Sequence, residues 1–186
     1  MKHSITKITF LIISCAFTCS SGEEVPTPDS TIYKACCGVE PVEFSKGKGR
    51  IYVPNSFTPD VKGNSRFFMP YINENVLDVQ AFTIYSAEGD TVLFQRPSFN
   101  FKQLEEYAWN GTRPDGSAYT GLFKYKMSIY NDEKQLSIIE GSACAIRCGA
   151  EAKVFKTKEG CFFPSQAGNA GNLDKSKSKS ETTCFE

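Results

Sequence analysis

The chain has 186 residues and a single histidine, His3, close to its start. Because His3 falls in a segment read below as a cleaved signal, no imidazole remains to activate a Ser or Cys nucleophile or to ligate zinc. An excess of one charge is also missing, with 21 Lys and Arg against 21 Asp and Glu. No global field therefore selects nucleic acid or anionic lipid. No apolar run approaches the ~18 residues that a membrane-spanning helix needs. No glycine-rich phosphate loop follows a strand and opens a helix. Glu105 and Glu106 face different directions on any helix and read as surface residues, not as a catalytic pair. The expectation is a protein that is not an enzyme, with no catalytic residue, no cofactor and no metal.

What is present begins with "MKHSITKITFLIISCAFTCSSGEE". Lys2 and Lys7 form a basic start, Ile8 to Thr18 a short apolar stretch, and cysteines stand where a small-residue cleavage site would be. This resembles a bacterial lipoprotein signal, in which the cysteine after the cut is acylated. Cys19 is the favoured acceptor because polar and acidic residues follow it directly, with Cys15 the alternative. Residues 1–18 are then the signal peptide, and their loss leaves 19 basic against 21 acidic residues. Residues 19–35 are rich in Ser, Thr, Pro and Glu and read as a flexible tether spanning roughly 20–25 Å. The acceptor-like "DST" places a possible sugar at Ser30.

Parity supports Cys19. Of 8 cysteines, 6 remain after such a cut: Cys36, Cys37, Cys144, Cys148, Cys161 and Cys184. In an exported protein an even set reads as disulfides and not as metal ligands. Adjacent Cys36 and Cys37 are expected to reach distant partners, fastening the N-terminal segment to the cysteine-rich C-terminal part.

From Arg50 the pattern is that of strands. "RIYVP" is a short run stopped by Pro54, and residues 79–95 read as a hairpin turning at "AEGD". In 122–131 Phe123, Tyr125, Met127 and Ile129 alternate with Lys124, Lys126 and Ser128, the period of a half-exposed antiparallel strand. Residues 135–148 return. "NFKQLEEYAW" holds one short helical turn, and "AKVFKTKEGCFF" one further β segment. Short strands separated by turns imply a sandwich spanning residues 36–148. Residues 149–186 form an irregular, cysteine-linked extension whose Gly/Ser/Lys-rich tail, including "KSKSKS", reads as solvated and ordered only through Cys184.

The only tryptophan, Trp109, sits in "WNGTRPDGSAYTG". It is either a platform on which a ligand stacks or the plug of a β corner. Four stretches decide between them: "IYVPNSFTPDVKGNSRFF", "FTIYSAEGDTVLF", "WNGTRPDGSAYTGLFKYKMSIY" and "CAIR". In that order they resemble the gliding-motility-associated C-terminal domain, the type B sorting domain of type IX secretion. The resemblance covers about half the chain and implies an all-β, immunoglobulin-like antiparallel β-sandwich, with Trp109, Gly111 and Gly121 as a fold corner. The chain departs from the family in three ways. Its "DVKGNS" turn keeps Asp60 and Asn64 but inserts Lys62 where a cation-binding loop would be acidic, about 40 residues follow Arg147, and no cargo domain is attached. The expectation is a non-catalytic outer-membrane lipoprotein, lipid-anchored and facing the cell exterior, whose partner is another envelope protein and not nucleic acid. The alternative is a sorting domain without cargo.

Overall fold

The computed structural model describes Tyr33, Cys36, residues 39–156, residues 158–179 and Cys184. The expected signal peptide, Cys15, Cys19, Ser30, Cys37 and all of the tether except Tyr33 lie outside the described residues.

The fold is all-β and built from two sheets. The smaller has the order β1 (Val42–Lys46), β2 (Gly49–Val53), β4 (Tyr71–Ile72). The larger has the order β3 (Ser56–Phe57), β8 (Leu136–Ala145), β7 (Gly121–Asn131), β5 (Val76–Tyr85), β6 (Val92–Ser98). All pairings are antiparallel except one: β3 joins β8 in parallel. One short helix, α1 (Leu104–Tyr107), occupies the expected helical turn, and its Glu105 ion-pairs with Arg66 at the surface.

The period-two pattern of β7 sorts its side chains as its sequence requires. Phe123, Tyr125, Met127 and Ile129 are buried, while Lys124 and Lys126 are exposed. The buried set meets Phe82, Ile84 and Val79 of β5, Ile139 of β8, and Ile51 and Val53 of β2 in one apolar core shared by both sheets. Aromatic edges and faces interlock there, with Phe68 to Phe123 at 4.7 Å and Phe57 to Phe123 at 5.9 Å, both near perpendicular.

β2 is buried on both faces. Ile51 and Val53 point into the core, while Tyr52 points away from it and donates its hydroxyl to the Phe163 carbonyl at 3.2 Å. The same outer row holds Glu43, opposite Tyr52 on β1, and Glu43 accepts the Leu173 N–H at 2.9 Å. Residues 163–173 therefore lie across the outside of the smaller sheet. This corrects the expectation that the tail is ordered only by Cys184. Backbone bonds from Gly168 to Asn172 (2.7 Å) and from Asp174 to Gln166 (2.8 Å), with Phe163 and Gln166 buried, hold it as a folded strap.

The expected β segment after Arg147 is a 3-10 helix, Ala150–Lys156. In such a helix positions i and i+3 share one face. Ala152 and Phe155 are accordingly buried and Lys153 and Val154 exposed, with Phe155 packed edge-on against Tyr33 at 5.2 Å.

Candidate interaction surface

Trp109 is completely buried, with its ring 4.8 Å from Phe123 and 5.5 Å from Phe57. Its Nε1–H donates to the Thr112 carbonyl at 2.7 Å, so the indole closes its own following turn. Asn110 Oδ1 accepts from the Thr112 amide (3.2 Å) and hydroxyl (2.7 Å), a local side-chain turn. Gly111 has φ +76°, and a Cβ there would run into the Pro59 ring. Asp115 accepts the Ser117 amide at 2.9 Å, and the Ser117 hydroxyl and amide hold its carboxyl below the usual range. Gly121, at φ +96°, starts β7. The Trp109 ring offers no face for stacking a ligand.

The cysteines gather at one pole. Cys36 bonds Cys144 across 108 residues of sequence, with Cα atoms 5.5 Å apart, and Cys148 bonds Cys184, with Cα atoms 4.7 Å apart. Cys161 is also disulfide-bonded. Cys144 and Cys148 thus reach different partners. Around them Tyr33, Ile146, Ala152, Phe155 and Phe163 form a second, smaller core. The Tyr33 hydroxyl accepts the Arg147 amide at 3.0 Å. Burial pushes the Tyr33 phenol upward, opposed by that amide.

Asp60 is spent on the fold. Its Oδ1 is 2.5 Å from Arg147 Nη2, and its Oδ2 accepts the Cys148 amide at 2.8 Å. Asn64 begins a separate 3-10 turn, Asn64–Arg66. Among the described residues no three His, Cys, Asp or Glu side chains come close enough together to hold a metal ion.

Asn55, which the sequence reading passed over, is completely buried and joins three segments. Its amide donates to the Val39 carbonyl (2.7 Å) and the Gly160 carbonyl (2.6 Å), and its Oδ1 accepts the Phe162 amide (2.7 Å). Its own carbonyl accepts the Cys144 amide at 2.9 Å.

The strap covers the outside of the smaller sheet, and nothing comparable crosses the larger one among the described residues. Register places side chains in rows across this open face: Asp78, Tyr130 and Leu136; Gln80, Ser128 and Ile138; Tyr85, Lys124 and Ser142. Leu136 is 50% exposed and Ile138 57%. At the other end a shallow groove of about 600 Å³ is lined by Tyr85, Glu88, Lys124, Lys126 and Glu140. There Lys126 pairs with Glu140 at 3.5 Å, and Lys124 donates to the Glu88 carbonyl at 3.2 Å.

The edge beside this face is open as well. β3 pairs with β8 only at Ser56–Cys144 and Phe57–Ala145, so among the described residues β8 from Leu136 to Ala143 has a partner strand on one side alone. Lys46 guards its start, with Nζ 3.3 Å from Ser137 Oγ and 3.5 Å from the Leu136 carbonyl. Chemically, this is a mixed apolar and charged face beside a strand edge. The sequence signal for it was two adjacent isoleucines, Ile138 and Ile139, which in a strand must face opposite sides of the sheet. No family model, curated protein or solved structure matches this chain.

Proposed function

We propose that this chain is a non-catalytic surface lipoprotein, anchored through Cys19 to the outer membrane, whose domain is an immunoglobulin-like sandwich that binds another envelope protein. The observation that carries the binding role is the uncovered face of the larger sheet, where Leu136 and Ile138 flank an open strand edge. Exposed apolar residues beside an unpaired edge are what strand addition and protein docking use. The anchor reading rests on the N-terminal "LIISCAFTCSSGEE" and on the sixteen residues between Cys19 and Cys36. The test is crosslinking from a photoreactive residue at position 138 in membranes, followed by identification of the adduct. One discrete partner, lost on Ile138→Lys, is the expected result. No adduct, or the same adducts with Ile138→Lys, would refute the assignment.

The order of the four motifs favours a second reading, a type IX sorting domain without cargo. Fatty-acid labelling separates the two. Unlabelled protein released to the medium by that secretion route would make it a sorting domain.

A further inference from the structure

The balanced composition conceals a local concentration of lysine. The 3-10 helix Ala150–Lys156 and the segments after it bring Lys153, Lys158, Lys175 and Lys179 near the disulfide-bonded pole, outnumbering the Glu151, Glu159 and Asp174 interspersed with them in sequence. Their ammonium groups are anchored in a particular way. Lys158 Nζ donates to the Cys36 carbonyl at 3.2 Å and lies 5.2 Å from the Phe155 ring centre. Lys179 Nζ donates to the Lys158 carbonyl at 3.0 Å and lies 5.7 Å from the Phe163 ring centre. Lys175 Nζ lies 5.4 Å over Phe162. The three ion pairs found between described residues are elsewhere, at Arg66, Lys126 and Arg147. For Lys158 and Lys175 the contacts are backbone carbonyls and ring faces, which place a positive charge without neutralising it. Beside them Val154, 52% exposed, projects from the helix whose Phe155 is buried.

An apolar tip flanked by ammonium groups suits a membrane interface carrying anionic headgroups. The chain outside the structure enters at this same pole, because Cys36 is held there by Cys144 and by Lys158. Only thirteen residues separate Cys19 from Tyr33. If that stretch acts as the tether its composition suggests, it would span roughly 20 Å, so an anchored domain would meet the surface at high effective concentration and need little intrinsic affinity. We infer that this pole docks on anionic lipid, with Val154 at the interface and Lys153, Lys158 and Lys175 against headgroup phosphates, holding the molecule in a fixed orientation above the bilayer. The orientation rests on the lipid-anchored reading; the attraction to anionic lipid does not.

The experiment is lysine acetylation footprinting of the full chain on vesicles. One set is purely zwitterionic; the other contains about one-third anionic phospholipid, at about 0.1 M and about 0.5 M salt. The expected result is at least about threefold slower acetylation of Lys153, Lys158 and Lys175 on anionic vesicles at low salt, lost at high salt. Lys124 and Lys126 on the open sheet should react equally throughout. Lys158→Gln combined with Lys175→Gln should reduce the protection of Lys153, and a folding defect would instead raise reactivity on both vesicle types. Equal reactivity on the two vesicle types overturns the proposal. So does protection by soluble poly-glutamate without protection by vesicles, which would assign the patch to an acidic protein. Flotation with the zwitterionic vesicles tests the anchor separately. If the chain fails to float, the anchor reading falls, and the footprint on anionic vesicles still decides the docking.

Discussion

Asp60 Oδ1 lies 2.5 Å from Arg147 Nη2, joining the loop after β3 to a residue two positions past the end of the last strand. The two come from the first and last of the motifs that carried the family resemblance. Both side chains are partly exposed, so the pair is screened, and its main effect is to position the Cys148 amide that Asp60 also accepts. A double-mutant cycle with Asp60→Ala and Arg147→Ala should give a coupling of about 0.5–1 kcal/mol, shrinking in high salt. Denaturant melts of the four proteins measure it.

Asn55 should matter more. Asn55→Ala leaves the Val39 and Gly160 carbonyls and the Phe162 amide without their partner, in a region closed to water. The expected loss is about 2–4 kcal/mol. It should appear as faster proteolysis around residues 158–165 while Trp109 fluorescence stays native. That split is readable because Trp109 is the only tryptophan and lies in the other core.

Thr58→Val should go the other way. The Thr58 hydroxyl is buried and makes no hydrogen bond among the described residues. Replacing it by a methyl of the same shape removes a desolvated polar group and should stabilise by about 1 kcal/mol. A melting temperature below that of the parent protein would contradict this.

Tyr125 sets an alkaline limit. Burial pushes its phenol well above the usual tyrosine value, so the folded state favours the neutral form. The stabilisation is complete below the unfolded value near 10 and is lost as pH rises through and beyond it, because the unfolded chain releases that proton first. Tyr33 and Tyr119 are raised by burial in the same sense. Denaturant melts at pH 9 and at about pH 11 should show a fall in stability that Tyr125→Phe reduces. In the same place, Gly141→Ala would put a Cβ 2.6 Å from the Tyr125 hydroxyl and 2.8 Å from its ring. It should cost about 1–3 kcal/mol.

How much of this was legible in the sequence depended on how local the signal was. β7 was readable because its alternation is set by residues two apart, and the β5–β6 hairpin because its turn residues are contiguous. The turn-rich neighbours Asn110 and Gly111 left Trp109 open between a corner and a stacking platform, and the resemblance to a family chose the corner. The strap was not, because Gly, Ser and Lys give no periodic signal and its order comes from distant acceptors such as Glu43. One clue was present and went unused: Ile51, Tyr52 and Val53 form an unbroken apolar run, which marks a strand covered on both sides. Asn55 was missed because a buried amide that bridges three segments looks, in one dimension, like any turn asparagine. The open face emerged only once register placed Leu136 and Ile138 beside Tyr130 and Ser128.

The two disulfides also determine how the molecule bears a pull. Tension arriving along the N-terminal segment reaches Cys36 and passes directly into Cys144, bypassing the 107 intervening residues that build β1 to β7 and most of β8. From Cys148 it crosses to Cys184 without loading the strap. Force between the two ends therefore runs along a short covalent cable made of Cys36, residues 144–148 and Cys184. Such a chain lengthens by only a few residues under load, and of the two sheets only the end of β8, at Cys144 and Ala145, lies in the loaded path. A domain wired this way can be pulled from its N-terminal side without being unravelled.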